Sequence, residues 1–448
     1  RPTEARQRFH EALAIDPRYA PALRNLAIHE MSAGRPGDAK LHFESLLTLT
    51  PSDPLAHLAL AEISFADRRY SDAAAHFGRS GDLYTHDANN VLKFGEALAH
   101  TKQADKAESV LALLPENAGA EQHFRAGLLL VRIARYEAGA RAFEKAVAGH
   151  PDPYLAGYNL ALAQLRAARH ADAIRTAERL LASGHKKAEL HNLLGHAYEA
   201  AGRTKEAYDS LRTATHLDPS DEANYLDLIE ICLAHRNFDL ALEIAEIGIG
   251  RLAASDRLVL QKGAVLAMKG QFPEAKAAFE QSARLAPKKT LPRVSLGLVL
   301  LQMDKPAEAV RVLRRSAAGA NDYLVHWFLG EALNRAGVEP ASAEEKEAVA
   351  ALNRSVRLDP NAVQPRVLLA KLLARRGELD QSIEHLERAL QLEPDHVGAT
   401  YQLAQAYARK GYSKRSKELF AKVSKAKADE REQFTTRGLQ MIVREGAR

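Results

Sequence analysis

Residues 188–219 read AELHNLLGHAYEAAGRTKEAYDSLRTATHLDP. Leu194, Gly195 and Tyr198 fall on one face of a first short helix, and Ala207, Leu211 and Ala214 on one face of a second. Gly202 stands where the first helix should stop, because glycine takes the left-handed conformation that closes a helix C-terminus. Pro219 ends the second helix and starts the next turn, since it cannot continue a helix. Gly195 and Ala207 are small enough to let the two axes approach closely. Leu211, one turn beyond Ala207, fills the space left between them. A single pair of this kind cannot bury its own apolar face, so neighbouring pairs must stack.

The same pattern runs through the chain. A small residue followed four positions later by an apolar one recurs at Ala5, Ala39, Ala73, Ala107, Gly139, Ala173, Ala207, Ala241, Ala275, Ala309, Ala348, Ser382 and Ser416. Ten of the twelve intervals are 34 residues, and the others are 32 and 39. Repeats override the three domains that a length of 448 would suggest at about 150 residues each. Twelve positions before most anchors stands Gly or Ala, as at Ala27, Ala61, Gly95, Gly127, Gly263 and Gly297. Twelve positions after seven anchors stands a proline, as at Pro17, Pro51, Pro287 and Pro394.

These residues resemble the tetratricopeptide repeat (TPR) family, whose pattern is W-x2-L-G-x2-Y, then A-x3-F, then P. The resemblance covers essentially the whole chain. It implies an all-α, right-handed superhelical solenoid of antiparallel helix pairs, here called A and B. About twelve repeats are complete, with half-repeats at both ends. The solenoid is expected over residues 1–428, its first repeat lacking helix A, with a capping helix over 429–448 on Phe434, Gly438 and Met441. An insertion near 338–343 lengthens one A–B turn; Gly337 should close helix A and Ser342-x-x-Glu345 should box the start of helix B. The chain departs from the family in three places. No repeat keeps the first-position Trp, Trp327 lies one place later, and Ala177 and Ala245 replace the large B-helix residue.

Composition agrees with a helical protein of ordinary polarity, 46% hydrophobic and 27% charged. No stretch approaches the ~18 uncharged apolar residues of a membrane span. The single cysteine, Cys232, excludes an intramolecular disulfide and sits at a core A-helix position. The excess of 62 Lys and Arg over 57 Asp and Glu belongs to the C-terminal end, for residues 361–448 carry 17 against 11. No phosphate loop, dinucleotide fingerprint, zinc-protease motif or calcium loop is present, and the histidines lack metal-ligand spacing. The sequence thus predicts no enzyme, no cofactor and no metal.

Function is then expected on the surface, in the groove that TPR proteins line with their A helices. Tyr158, Leu162 and Leu165, then Leu291, Val294, Leu298 and Leu301, with Trp327, occupy groove positions. They read either as a slot for a partner peptide or helix, or as side chains buried by tight stacking of successive A helices. Arg132 and Arg166, then Arg335, Arg375 and Arg409, recur at one A-helix position. They read either as ladders for an acidic ligand or as caps on helix C-termini. A basic run (Arg409, Lys410, Lys414, Arg415, Lys417, Lys422, Lys425, Lys427) reads as a solvated helix or as a contact for an anionic surface. It lacks interleaved aromatics, which argues against nucleic acid.

The expectation is a non-catalytic scaffold holding peptide or helical segments of other proteins. The alternatives are the regulatory, substrate-recruiting TPR arm of a larger enzyme, such as a glycosyltransferase with its catalytic domain elsewhere, and a cell-envelope assembly factor. The absence of an initiating Met leads us to expect a fragment or processed product, so the sequence does not assign a compartment.

Overall fold

The structure is a computed structural model that describes residues 2–115, 117–337 and 339–425, and these are all-helical. Two compact units divide the chain, Arg1–Ser210 and Leu211–Arg448. Each is a stack of helix pairs. The first unit holds α1 (Pro2–Ile15), α2 (Ala20–Ser32), α3 (Pro36–Leu49), α4 (Pro54–Ala66), α5 (Tyr70–Arg79), α6 (Ala88–His100) and α7 (Ala104–Leu111). It continues with α8 (Ala120–Arg132), α9 (Tyr136–Ala146), α10 (Pro153–Arg166), α11 (His170–Ala182) and α12 (Ala188–Ala200). Helix α13 (Thr204–Leu217) spans the division. The second unit continues with α14 (Glu222–Ala234), α15 (Phe238–Arg251), α16 (Asp256–Met268), α17 (Phe272–Leu285), α18 (Leu291–Gln302) and α19 (Pro306–Ala317). It also holds α20 (Tyr323–Arg335), α21 (Ala343–Leu358), α22 (Val363–Arg375), α23 (Leu379–Leu392), α24 (Val397–Arg409) and α25 (Ser413–Lys425). Packing is sequential from α1 to α12 in the first unit and from α14 to α25 in the second. Even numbers are A helices and odd numbers B helices. The expected capping helix over 429–448, with Phe434, Gly438 and Met441, lies outside the described residues.

The helices begin and end where local chemistry directs. Asp53, Asp87, Asp152, Asp221, Ser255 and Asp322 each accept a first-turn N–H of an A helix. Every A helix from α2 to α24 closes on a residue with positive φ: Gly34, Arg68, Lys102, Ala134, Ala168, Gly202, Arg236, Gly270, Asp304, Gly337, Gly377 and Gly411. The next amide then reaches back five residues, as Arg135 N–H does to Leu130 O (2.8 Å) and Gln271 N–H to Leu266 O (2.9 Å). Six of the twelve are not glycine, so the closure is imposed by stacking even where it strains the backbone. Ser342 caps the helix after the insertion as expected, its Oγ accepting from Glu345 N (3.1 Å). The Glu345 carboxylate, however, returns to the N–H of Ala341 (2.8 Å), one residue before the cap, and not to that of Ser342.

The core is an interlock between the small A-helix residue and the large B-helix residue of one repeat. A methyl added to Gly263 would lie 2.6 Å from the Phe279 ring, and one on Gly330 2.5 Å from Leu352. Phe43, Phe77, Phe143 and Phe279 are all but fully buried. Where Ala245 replaces the large residue, Ile229 takes the place of the glycine and is itself buried, so the sizes exchange across the same contact. Where Ser replaces the anchor Ala, its hydroxyl finds a carbonyl on the A helix: Ser382 Oγ donates to Ala370 O (2.8 Å) and Ser416 Oγ to Ala404 O (2.9 Å).

The lost tryptophan is replaced by a hydrogen bond. His57 Nε2 (2.9 Å), Tyr225 Oη (3.3 Å), His326 Nε2 (3.0 Å) and Arg366 Nη2 (2.6 Å) stand at that A-helix position. They donate to the carbonyls of Pro51, Pro219, Ala320 and Pro360, each six residues upstream. Each bond satisfies a turn carbonyl.

Two outcomes follow from this packing. Ala134→Gly or Ala168→Gly should stabilise the protein by about 0.5–1 kcal/mol, since relief of left-handed strain exceeds the added chain entropy; equal or lower melting temperatures would contradict the strain. Ala245→Leu should cost about 1–3 kcal/mol by overpacking. Adding Ile229→Ala should recover most of that loss in a double-mutant cycle measured by urea denaturation, and additive losses would show that the two do not share a contact.

Candidate partner-binding groove

The A helices differ sharply in what they leave uncovered. On α8 the exposed stripe is Glu121, Arg125, Leu128 and Arg132, spaced i, i+4, i+7 and i+11. Its opposite face, with Phe124, Ala126 and Leu130, is buried. On α10 the corresponding stripe is Leu155, Asn159, Leu162 and Arg166. Leu128 is 43% exposed and Leu155 42%, high values for side chains on the inner helices of a stack. Helices α8 and α10 both pack on α9, so they are consecutive A helices.

The charges on these stripes are also uncovered. Among the described residues, Arg125, Arg132 and Arg166 form no ion pair or hydrogen bond, whereas most cations of similar placement do. Glu121 lies 3.3 Å from His150 Nε2. Helix α10 carries no acidic residue between Pro153 and Arg166. Asn159 Nδ2 donates to Leu155 O (2.8 Å), which leaves its side-chain carbonyl oxygen to accept. Of the sequence-predicted positions here, Tyr158, Leu162 and Leu165 are half-buried and Arg132 and Arg166 exposed. Tyr158 stacks on Tyr154 at 5.9 Å between ring centroids. Arg125 was not expected from the sequence. Its signal was the i, i+3, i+7 spacing to Leu128 and Arg132.

The second unit corrects the other half of the expectation. Val294, Leu298, Leu301 and Trp327 are not a slot for a partner, because they are buried: Leu298 is 0% and Trp327 6% exposed. Leu291 is half-buried against the same cluster. These side chains belong to one buried cluster built by α16, α18 and α20 with their B helices, and α18 packs directly on α20. Gln261 and Ser295 are buried at groove positions for the same reason.

The second arginine ladder is likewise consumed within the fold. Arg335 Nε donates to Glu331 on its own helix (2.6 Å). Arg375 donates to the buried Glu345 carboxylate on α21 (2.9 Å). Burial alone would raise the Glu345 carboxyl; the Ala341 N–H and the Arg375 guanidinium outweigh it and hold it below the usual carboxylate range. Arg409 Nη1 donates to Ala374 O at the end of α22 (2.7 Å). Arg375 and Arg409 thus tie neighbouring repeats together, while Arg335 is held on its own helix.

Elsewhere the chemistry is structural. Burial pushes the Cys232 thiol up to about 11, which keeps it protonated and unreactive at neutral pH. No group of three or more metal-ligating side chains occurs among the described residues. On α25, Lys414, Lys417 and Lys422 are exposed, Arg415 lies over the Tyr407 ring, and Lys410 pairs with Asp380. The side chain of Lys425 and all of Lys427 lie outside the described residues. No described helix is long and apolar enough to cross a membrane.

Comparison with known proteins bears on the repeat. Family models described as tetratricopeptide repeat match residues 1–63, 124–188 and 158–222, and one described as TPR repeat matches 370–411. No curated protein sequence matches the chain. Among solved structures, yeast Tom70 is 15% identical over 95% of each chain, with a TM-score of 0.42. The APC/C hetero-tetramer Cut9–Hcn1 is 13% identical over 96% of each chain, with a TM-score of 0.43. YrrB, described as a TPR protein with an unusual peptide-binding site, is 20% identical over 43% of this chain and 96% of its own, with a TM-score of 0.34.

The histidines of the first unit should make its stability depend on pH. Burial lowers the pKa of His42, His76, His123 and His191; His10 adds to the effect on His42, His57 to that on His76 and Lys145 to that on His123. His57 Nε2 donates to a carbonyl, so its Nδ1 accepts from His76 Nδ1 at 2.9 Å while both rings are neutral. A lowered histidine pKa means the unfolded chain binds protons first as pH falls. Stability is therefore full above the ordinary imidazole value of about 6.5 and is lost as pH drops below it. Melting temperature should fall between pH 7.5 and 5.5, and the fall should be smaller in a variant carrying His42→Gln, His76→Gln, His123→Gln and His191→Gln. An identical fall in the variant would remove the histidines as its cause.

Proposed function

The chain belongs to the tetratricopeptide repeat family, and from that premise we propose that it is a non-catalytic scaffold whose first unit holds segments of other proteins against its A helices. The observation that carries this reading is the uncovered stripe of α8 and α10, where leucines stand in solvent at inner positions of a helix stack. The equivalent stripes of α16, α18 and α20 are filled by their own neighbours and offer no such surface. Contiguous apolar surface rimmed by charge is a usual mark of a protein-interaction site. Packed helix pairs supply the rigid backing that such recognition needs, since a preformed surface loses little freedom on binding.

The test is affinity capture from the native source with three baits. The wild type and a control carrying Leu41→Glu and Ile247→Glu, which alter exposed B-helix leucine and isoleucine side chains, should enrich the same partner. A groove bait carrying Leu128→Glu and Leu155→Glu, with unchanged circular dichroism, should lose it. Equal capture by all three baits would place recognition outside this surface.

A further inference from the structure

Resting on that scaffold reading, we infer that the α8–α10 face selects an acidic peptide segment with interspersed apolar side chains, and that Arg125, Arg132 and Arg166 are its specificity determinants. The three guanidiniums are exposed and without an intramolecular partner, on stripes that also present Leu128, Leu155 and Leu162. Arg125 and Arg132 lie two turns apart, about 10 Å along the helix. Arg166 stands at the register of Arg132 on the next A helix. Three positive groups therefore bracket an apolar strip.

The flanks sharpen this. Two carboxylates near the strip keep their charge: Glu121, on the α8 stripe four residues before Arg125, lies 3.3 Å from His150, and Glu189 accepts from the Tyr154 hydroxyl (3.0 Å). No acidic residue stands within four positions of Arg132 or of Arg166 in the sequence. Like-charged side chains on one face repel one another, and a carboxylate-bearing ligand relieves that repulsion while making charge-assisted hydrogen bonds. The apolar strip between them distinguishes such a peptide from a bare polyanion. The Asn159 side-chain carbonyl oxygen can accept a peptide N–H.

The probe is a fluorescein-labelled synthetic peptide of glutamates with leucines interspersed, titrated against the full chain by fluorescence anisotropy. Companion probes replace Glu with Lys, Glu with Ser, or Leu with Ser, and a single-stranded DNA carries the same charge. The acidic-apolar peptide should bind best, and its affinity should fall as salt rises. It should weaken at least about tenfold in the Arg125→Gln, Arg132→Gln, Arg166→Gln variant. A control carrying Lys288→Gln and Arg311→Gln, at exposed cations of the second unit, should bind as the wild type does. Unchanged binding by the triple variant, or DNA binding as tight as the peptide, overturns the assignment. Binding of the Ser-leucine or Lys-leucine peptide instead, lost with Leu128→Glu and Leu155→Glu, overturns the acidic specificity but leaves the scaffold reading standing. If no peptide binds while the baits above still lose their partner, the specificity alone fails; if those baits also behave alike, both readings fail.

Discussion

The contact on which everything else depends is the one between a missing side chain and a large one. Gly263 against Phe279, Gly127 against Phe143 and Gly330 against Leu352 each leave no room for one more methyl. That clearance fixes how closely the A and B helices of a repeat approach. Once it is fixed, each pair exposes an apolar face that only the next pair can cover. The left-handed closures at Ala134, Ala168 and Arg236 show that this demand exceeds the local preference of the backbone. Ile229 and Ala245 reverse the usual sizes, whereas Ala161 and Ala177 are both small, so the large residue is not required in every repeat.

A stack built this way has two outlets for the apolar stripe of its A helices. In α16, α18 and α20 the helices approach each other and the stripes become core, with Leu298 and Trp327 as members. In α8 and α10 the stripes remain open and are edged by arginines. The same repeat thus yields structural mass in one stretch and a receptive surface in another. The arginines follow the same division. Arg375 and Arg409 reach a carboxylate and a carbonyl of the preceding repeat. Arg132 and Arg166, at the same helix position, reach none.

The repeat was legible because it rests on local sequence: the anchors, Gly202, Gly337 and the Ser342 cap depend on contacts within one helix pair. The size of the core residues followed from the same spacing. Exposure of the groove was not legible, because it depends on which side chains of neighbouring repeats, about 34 residues away, cover each stripe. Leu162 and Leu298 occupy equivalent places in the pattern, and nothing local distinguishes their fates. The arginine ladders failed as a class for a related reason: the partners of Arg375 and Arg409 lie 30 and 35 residues upstream. The sequence showed that the first-position tryptophan is absent, and the structure showed that His57, Tyr225, His326 and Arg366 there each serve a turn carbonyl.

The central claim is that the A-helix stripe is closed at α18–α20 and open at α8–α10, and tryptophan fluorescence tests it most directly. Trp327 is the only tryptophan in the chain. Its emission should be blue-shifted and resist acrylamide quenching. In a variant carrying Trp327→Phe and Leu128→Trp, emission should be red-shifted and quenching should approach that of free indole. Efficient quenching of Trp327, or a shielded tryptophan at position 128, would contradict the account.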